Sequence, residues 1–219
     1  MLKFYYHPLS PIARRVWIAL LEKEIPFEAV LVDLRGEQFE ADFLLLNPFH
    51  HVPALVHDDL RLIESMAILD YLELQFPQVS LSPDTPGAIA QMRMVQMVVT
   101  NELLPKLVAV VIADEENPLP EKTTDHLEIC LRFLTKQLGD KDYFGGDALN
   151  LADAVAGATV PLFNRLGVSL RAYESLQQWQ DRITSRSAWQ LTKPSDSDFQ
   201  LWQRWIRLQV QRAKQNRQR

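Results

Sequence analysis

A proline at the start of a short apolar run most constrains how this chain can fold. Val52-Pro53 precedes Ala54-Leu55-Val56, a run with the composition of a short strand. Proline cannot donate to a sheet ladder, so Pro53 must take the first position of that strand. A cis peptide is tolerated before proline, and a cis bond here turns the backbone N–H and C=O of Val52 outward. The sequence therefore predicts a strand-like edge with which an extended peptide can pair.

A second feature follows about a dozen residues later. Glu64-Ser65 precedes the apolar-periodic residues Met66, Ile68 and Leu69, which predicts a helix with Ser65 as its N-cap. A helix N-terminus carries free N–H groups and partial positive charge, so it attracts a carboxylate. The edge and the helix start together predict a site for a short peptide that carries a free acid group.

Composition excludes several classes of protein. The chain has 219 residues, enough for real hydrophobic cores, and its net charge of −5 argues against a nucleic-acid partner. Its single cysteine cannot form an internal disulfide, which suits the reducing cytoplasm. No signal peptide is recognisable in the first residues, and we expect no run that approaches the ~20 apolar residues of a membrane span. We therefore expect a cytoplasmic protein with neither a membrane nor a nucleic acid as partner.

The first part of the chain alternates strands and helices in the order βαβ-α-ββα. Ser10-Pro11 predicts a helix start, with Ser at the N-cap and Pro at the first helical position. The predicted elements are strand Leu2–Tyr6, a helix to about Lys23, strand Phe27–Asp33, a helix near Ala41–Leu46, the Pro53 strand, strand Arg61–Ile63 and helix Ser65–Phe76.

The second part reads as helices only. Pro77–Gly87 contains three prolines and predicts a linker. The helices predicted beyond it are Ala88–Glu116 with a kink one turn before Pro105, Pro120–Leu138 capped by Gly139, Asn150–Leu166 kinked at Pro161, Leu176–Arg186 and Asp196–Lys214. The predicted division is a domain over residues 1–77, a linker over 78–87 and a helical domain over 88–219.

Four segments resemble the cytosolic glutathione transferases of the serine type. They are Tyr6-His-Pro-Leu-Ser10-Pro-Ile-Ala-Arg-Arg-Val16, Asn47-Pro-Phe-x-x-Val-Pro53, Glu64-Ser65 and the capping-box segment Asn150-Leu-Ala-Asp153. The resemblance covers nearly the whole chain. The first of these segments is similar to the start of the phi and theta classes, and the chi group described from cyanobacteria is a further candidate class. The resemblance implies an α+β thioredoxin-like N-terminal domain followed by an all-α C-terminal domain.

The resemblance also implies an activity. Such a protein conjugates the glutathione thiolate to apolar electrophiles such as halonitroarenes and isothiocyanates, with peroxidase activity on organic hydroperoxides as a further expectation. Glutathione is a cosubstrate, and no other cofactor is expected. The alternative is a non-catalytic binding or scaffold protein of the same fold. An isomerase related to the zeta class is a third interpretation, but the Ser-Ser-Cys pattern of that class is missing, since the chain has Ser10-Pro-Ile-Ala13.

Two hydroxyl groups are candidates for activating the thiol. Ser10 lies between the first strand and the first helix, where a hydroxyl donor and a helix N-terminus both stabilise a thiolate. Tyr6 occupies the position from which the tyrosine-type classes supply their hydroxyl. The alternatives are purely structural roles: Ser10 only caps its helix, and Tyr6 is an ordinary aromatic residue of a strand.

The resemblance assigns the remaining binding roles residue by residue. The Val52 backbone, before Pro53, pairs with the cysteinyl backbone of glutathione, and His51 meets its glycyl carboxylate. Glu64 takes the γ-glutamyl ammonium, and Ser65 takes the γ-glutamyl carboxylate. His50 stands where relatives commonly have glycine, which puts the local loop conformation in question. Adjacent His50 and His51 point opposite ways in an extended segment, so no metal site is predicted.

Three further expectations concern the surroundings of the site. The electrophile pocket is predicted between the domains, walled by Leu9, Ile12, Met97, Asn101, Pro105 and Val108. Phe49 is predicted to insert into a partner subunit of a homodimer, with packing in its own core as the alternative. The six basic residues between Arg204 and Arg219 leave open a contact with an anionic surface or RNA, against a solvated terminus.

Overall fold

The computed structural model describes residues 1–217 and opens with a four-stranded mixed sheet. Its strands are β1 Leu2–Tyr6, β2 Glu28–Leu31, β3 Ala54–His57 and β4 Leu60–Ile63. The spatial order is β2-β1-β3-β4, with β1 and β2 parallel and the other neighbouring pairs antiparallel. The predicted α+β order of the N-terminal part is confirmed.

Helix α1, Pro11–Glu22, is bounded by local signals at both ends. The Ser10 hydroxyl oxygen accepts the Ala13 N–H at 3.2 Å, and Pro11 opens the helix. At the other end Glu24 takes a φ of 55°, and the N–H of Ile25 reaches back to the Leu20 carbonyl at 3.0 Å. Helix α1 is therefore fixed at both ends by the residues around it.

Two more helices complete the N-terminal part: α2 Ala41–Leu46 and α3 Ser65–Gln75. A 3₁₀ turn over Glu37–Phe39 was not predicted. The Val52-Pro53 bond is cis, as the sequence suggested, and β3 begins directly after it.

The predicted N-cap of α3 is wrong by one residue. Glu64 is the N-cap, with a φ of 68°, and Ser65 is already the first helical residue and buried. The reason is that β4 ends at Ile63 and the helix begins two residues later, so one residue makes the whole reversal. A left-handed Glu64 makes no side-chain bond to the helix, and the hydroxyl of Ser65 is set inside the site instead.

The C-terminal part is helical throughout, as predicted. Its helices are α4 Pro86–Val98, α5 Leu107–Ile112, α6 Glu121–Leu138, α7 Leu151–Arg165, α8 Glu174–Thr184, α9 Ser187–Leu191 and α10 Asp196–Arg217. The short α9 was not predicted. The Gly139 cap is present with a φ of 60°, and Arg219, the last residue of the basic C-terminal segment, lies outside the described residues.

Pro105 interrupts the helical run between α4 and α5. A π-helical turn, Val99–Leu103, precedes a 3₁₀ turn, Leu104–Lys106, where one kinked helix was predicted. Proline lacks the N–H that an α-helix needs, so the backbone widens before it and tightens around it. The predicted end at Glu116 is wrong because Asp114 accepts the N–H groups of Glu116 and Asn117 and turns the chain.

One expectation about hydropathy is also wrong. The run Pro86–Ile112 is long and apolar enough to cross a membrane, and an 18-residue window within it has a mean hydropathy of 1.6. This criterion considers only length and composition, and the core helices of soluble proteins also meet it. Here α4 packs against α6 and α7, and 39% of the tested window is buried.

Helix α7 is the centre of the helical part and packs against α1 of the N-terminal part. Its first ten residues, Leu151 to Val160, are all buried. The predicted capping box is present: the Asn150 side chain accepts the Ala152 N–H at 2.7 Å, and Asp153 accepts the Asn150 N–H at 2.9 Å. The N–H groups of Asn150, Leu151 and Ala152 at this buried helix start are therefore paired within the protein.

Candidate active site

A cleft of about 410 Å³ opens at one end of the sheet. Because β1 and β3 are antiparallel neighbours, the end of β1 and the start of β3 lie together, with Tyr5 paired to Ala54. Because β3 and β4 are also antiparallel, Ala54 pairs with Ile63, which brings the start of α3 to the same end of the sheet. The residues that line the cleft are Ser10, Ile12, Leu34, Gln38, Phe39, Asn47, His50, His51, Val52, Pro53, Glu64, Ser65 and Trp205.

Ser10 lines the cleft at the N-terminus of α1. Its hydroxyl oxygen uses one lone pair to accept the Ala13 N–H, while its own O–H has no acceptor within residues 1–217. The first turn of α1 holds no acidic residue, so no carboxylate offsets the partial positive charge of the helix start. A hydroxyl donor and a helix N-terminus therefore converge on one point of the cleft.

His7 holds the corner that presents Ser10. Its ring Nδ1 accepts the Leu9 N–H at 3.2 Å, and its carbonyl accepts the Ser10 N–H at 3.0 Å. Burial lowers the pKa of His7, so the ring is neutral near pH 7 and keeps its acceptor nitrogen. The corner between β1 and α1 is thus fixed by two bonds from one residue.

Tyr6 lies outside the cleft. Its ring stacks on Phe4 at 5.3 Å between centroids and meets Trp17 at 4.7 Å. It lines neither this cleft nor the cavity on the other side of the α1 N-terminus. Of the two candidate hydroxyl groups, only that of Ser10 lies in the cleft.

The loop before Pro53 presents a free backbone edge. Neither the N–H nor the C=O of Val52 takes part in a backbone hydrogen bond within the described chain. Asn47 braces this loop from inside, since its buried side chain donates to the His51 carbonyl at 2.7 Å and accepts the Phe49 N–H at 3.0 Å. Sequence reasoning quoted Asn47 only as part of a motif and missed this bracing role.

The backbone at His50 shows which conformation the loop adopts with histidine in place of glycine. It adopts a φ of 52°, the left-handed conformation that favours glycine, and its ring packs on Phe39 at 5.1 Å. Histidine is one of the residue types that reach this region, so the loop keeps a glycine-like backbone. His51 and Val52 follow it into the cleft.

The start of α3 supplies an anion cradle. Ser65 is only 4% exposed and lines the cleft, yet its hydroxyl has no hydrogen-bond partner in residues 1–217. Its N–H is one of the free donors of the helix start. Beside it Glu64 is exposed and held at a φ of 68°, a strained conformation of the kind that clusters at functional sites. The Glu64 carboxylate, which can bind a cation, thus lies next to the Ser65 N–H and hydroxyl donors, which can bind an anion.

The residues predicted to wall an electrophile pocket do not come together. Ile12 lines the cleft, whereas Leu9 lines a different cavity on the other side of the α1 N-terminus. The four residues of the α4–α5 region are exposed and line neither cavity: Met97, Asn101, Pro105 and Val108. Trp205 of α10 joins Ile12 in the apolar wall of the cleft, and sequence reasoning missed it.

Phe49 is exposed, at 58% of its surface. The alternative that it packs in its own core is therefore wrong for this chain. Within residues 1–217 no group of three or more His, Cys, Asp or Glu side chains is arranged to hold a metal ion.

Comparisons with known proteins agree over most of the chain. Residues 9–75 match the family model "Glutathione S-transferase, N-terminal domain", and residues 95–187 match "Glutathione S-transferase, C-terminal domain". The chain is 30% identical to glutathione S-transferase F10 of Arabidopsis thaliana over 84% of this chain and 93% of that protein. It is 30% identical to maleylacetoacetate isomerase of Rattus norvegicus, over 87% and 91%.

Solved structures give the same picture. Glutathione transferase F7 from Populus trichocarpa superposes with a TM-score of 0.76 at 26% identity, covering 88% of this chain and 97% of that one. A glutathione transferase homolog from sulfitobacter, solved with bound glutathione, superposes with a TM-score of 0.73 at 27% identity, covering 87% and 96%.

Proposed function

Because this chain belongs to the glutathione S-transferase family, we propose that it binds glutathione in the cleft beside Ser10 and transfers the thiolate to apolar electrophiles. The chain is a glutathione transferase, and glutathione is its cosubstrate. One observation carries the assignment of the site: the free O–H of Ser10 shares one cleft with the open Val52 edge and the Ser65 cradle.

In this proposal each end of the tripeptide has its own partner. The cysteinyl backbone pairs with the N–H and C=O of Val52 as an added strand. The γ-glutamyl carboxylate takes the N–H and hydroxyl of Ser65, and Glu64 takes the ammonium beside it. His51 meets the glycyl carboxylate. Support comes from the unpaired donors of Val52 and Ser65, which glutathione would satisfy.

The energy required of Ser10 is within reach of its surroundings. A free thiol has a pKa of about 8.5, and lowering it by two units needs about 2.7 kcal/mol of preferential thiolate stabilisation. A hydrogen bond to a charged group contributes about 1.5–3 kcal/mol, and a helix N-terminus about 0.3–1 kcal/mol. The Ser10 hydroxyl and α1 together meet the requirement, and the serine never becomes a nucleophile.

The deciding experiment follows the ultraviolet absorbance of the glutathione thiolate as the pH is varied. Wild type, Ser10→Ala and Tyr6→Phe are titrated side by side with bound glutathione. We expect a bound-thiol pKa near 6–7 that rises by one to two units in Ser10→Ala and stays in Tyr6→Phe. A pKa that moves only in Tyr6→Phe would reassign the activating role.

The same titration tests the scaffold alternative. A non-catalytic protein of this fold would bind no thiolate and would keep its function when Ser65 is replaced. A wild-type protein that binds glutathione without lowering the thiol pKa would support that alternative over conjugation.

For the electrophile, we propose halonitroarenes and isothiocyanates as substrates, with organic hydroperoxides as peroxidase substrates. Support comes from the apolar surface of Ile12 and Trp205 at the cleft. A matched pair, Trp205→Ala and Val108→Ala, tests which wall is used. We expect the KM for a chloronitrobenzene to rise about fivefold or more in Trp205→Ala. The same rise in Val108→Ala would restore the α4–α5 wall predicted from the sequence.

A second candidate activity is isomerisation of a maleyl substrate. It is favoured by the 30% identity to maleylacetoacetate isomerase over most of both chains. Against it, residues 10–13 are Ser-Pro-Ile-Ala and lack the cysteine of that class's pattern. Glutathione-dependent cis–trans isomerisation of maleylacetone by the purified protein would favour it over conjugation.

We further propose that the protein is a cytoplasmic homodimer. Each protomer would consist of one domain over residues 1–77 and a second over residues 88–219. The exposed Phe49, which precedes the cleft residue His50, supports a contact between subunits. Size-exclusion chromatography of Phe49→Ser tests this, with the equally exposed Ile129→Ser as control. We expect only Phe49→Ser to elute as a monomer, and an unchanged dimer would remove Phe49 from the interface.

A further inference from the structure

Helix α10 carries an apolar stripe that is exposed to solvent. Three large side chains form the stripe: Leu201 is 57% exposed, Trp205 41% and Leu208 52%. Their spacing of four and then three residues places them on one face of the helix. Apolar residues grouped on an exposed surface mark a site of interaction with another molecule or with a membrane.

The stripe is not the face by which α10 packs on the rest of the protein. Phe199 is buried, and Trp202 and Ile206 pack against the hydrophobic core. Helix α10 also begins beyond residue 187, where the match to the C-terminal family model ends. The packing of the helix and the matched part of the family fold therefore do not account for an apolar outer stripe.

Two cations lie on the same face of α10 as the stripe. Arg204 is four residues before Leu208, and Arg212 is four residues after it, so their side chains share its face of the helix. Both arginines are exposed, and neither forms a salt bridge within residues 1–217. Arg207 faces the rest of the protein instead, since its Nε donates to the Val111 carbonyl at 2.9 Å.

The acidic residues near α10 lie away from this face. Asp196 and Asp198 belong to the first turn, and Asp196 pairs with Arg165. Asp114, after α5, interacts with the arginine that donates to Val111. From residue 199 to the end of the chain the sequence has no Asp or Glu, so the exposed stripe is bordered by positive charge only.

A surface that is apolar and cationic is complementary to an anionic lipid surface. Leucine and tryptophan side chains enter the boundary between headgroups and acyl chains, and arginines beside them meet the lipid phosphates. A cluster of several Lys and Arg on an amphipathic helix is attracted to anionic lipid by about 1 kcal/mol per residue. RNA would engage the arginines but would leave Leu201 and Leu208 in water, so lipid satisfies more of the surface.

We propose that α10 docks this protein on an anionic membrane surface as a peripheral helix. The stripe residues would enter the headgroup region, with Arg204 and Arg212 at the lipid phosphates. The expectation of no membrane partner rested on the net charge and hydropathy of the whole chain, which do not describe the surface of one helix. The attraction is local because a charge acts over about 8–10 Å at physiological salt.

Co-sedimentation of the purified protein with vesicles tests the proposal. One set of vesicles is pure phosphatidylcholine, and the other contains phosphatidylcholine and phosphatidylglycerol in equal amounts. We expect binding to the anionic vesicles about tenfold or more tighter than to the neutral ones, and weaker binding as sodium chloride is added. No binding to the anionic vesicles, or equal binding to both sets, would overturn the proposal.

Leu208→Gln tests the apolar stripe. We expect it to weaken binding to anionic vesicles about fivefold or more, because the leucine side chain no longer leaves water for the lipid. Ile129→Gln on α6, where the isoleucine is also exposed, is the control. Neither residue lines the glutathione cleft, so we expect unchanged conjugation in both variants. Equal vesicle affinity of the two variants would refute the role of the stripe.

A pair of double variants tests the cations at equal net charge. Arg204→Glu with Arg212→Glu should reduce the affinity for anionic vesicles about tenfold or more, to the level of neutral vesicles. Arg132→Glu with Lys136→Glu changes two exposed cations of α6 by the same amount and should reduce it far less. An equal loss in both pairs would mean that overall charge, and not α10, governs the binding.

Two further measurements exclude other partners for the stripe. Filter binding to poly(U) that is tighter than vesicle binding, and that survives Leu208→Gln, would replace the lipid by RNA. A change of oligomeric state in Leu208→Gln, measured by sedimentation equilibrium without lipid, would assign the stripe to a contact between copies of this chain. All of these measurements are made without glutathione, so this proposal and the proposed function fail separately.

Discussion

Replacing Asp153 by asparagine should change how the stability of this protein depends on pH. Asp153 is completely buried at the start of α7. One carboxylate oxygen accepts the Phe144 N–H at 3.0 Å and the Trp179 indole N–H at 2.8 Å, and the other accepts the Asn150 N–H at 2.9 Å. No cation in residues 1–217 pairs with it, so its charge is held by N–H donors alone.

Burial and hydrogen bonding pull the pKa of this carboxyl in opposite directions. Burial is the stronger effect and raises the pKa from 3.8 to about 6, although the N–H donors lower it. Below pH 6 the folded protein therefore binds a proton that the unfolded chain takes up only near pH 4. The sign follows: Asp153 makes the folded state more stable as the pH falls from 7 to 4. The full effect is about 3 kcal/mol, with about 1 kcal/mol of it gained between pH 7 and pH 5.

Asparagine has the same shape and does not titrate. It keeps an oxygen for Phe144 and Trp179 but turns an amide N–H₂ toward the Asn150 N–H, so two donors meet. We expect Asp153→Asn to lose about 2 kcal/mol of unfolding free energy at pH 7. The gap between wild type and variant should then widen by about 2–3 kcal/mol as the pH falls to 4.

Urea unfolding at pH 7, 6, 5 and 4, followed by tryptophan fluorescence, measures this gap. The difference between wild type and Asp153→Asn cancels the titration of every other carboxylate. Asp140→Asn, at an exposed position, is the control and should show a constant small difference. A gap that narrows on acidification would mean that the three N–H donors outweigh burial, and a gap independent of pH would mean that Asp153 does not titrate as argued.

Two further predictions concern the buried Lys23–Glu73 ion pair and the loop before Pro53. Lys23→Met should cost about 3 kcal/mol, because the Lys23 side chain is fully buried and pairs with the Glu73 carboxylate at 2.8 Å. Adding Glu73→Gln should restore part of the lost melting temperature, and a double variant no more stable than Lys23→Met would disprove the pairing argument. At His50, with its φ of 52°, we expect glycine to match or exceed the wild type in thermal stability and valine to lose about 1–2 kcal/mol. Glutathione affinity, measured by calorimetry, should follow the same order, and equally tight binding by the valine variant would count against a left-handed requirement in this loop.

Local signals explain why much of the fold was predictable. Ser10-Pro11, the cis-prolyl Val52-Pro53, the Asn150 cap and Gly139 each specify a boundary through neighbours within about four residues. Such signals act on the backbone directly and need no partner element. The strands and most helices were therefore predicted to within a few residues of their observed bounds.

The errors occur where the local sequence permits more than one backbone conformation. Ser65 has the chemistry of an N-cap, yet the tight reversal after β4 gives that position to Glu64. Pro105 predicts a kink but does not reveal that a π-helical and a 3₁₀ turn share the distortion. A long kinked helix and this compound segment have the same hydrophobic pattern, so periodicity alone cannot separate them.

The candidate site shows the same division between what is local and what is not. Ser10, Val52 and Ser65 meet because β3 is antiparallel to both β1 and β4, so one edge collects the end of β1 and the starts of β3 and α3. That convergence follows once the sheet order is known, and the motifs mark the residues in advance. Trp205 reaches the same cleft by another route: α10 packs on α5, and the Arg207 side chain donates to the Val111 carbonyl at 2.9 Å. Nothing within several residues of Trp205 encodes that contact, so this part of the cleft's apolar wall depends on long-range packing that sequence periodicity does not contain.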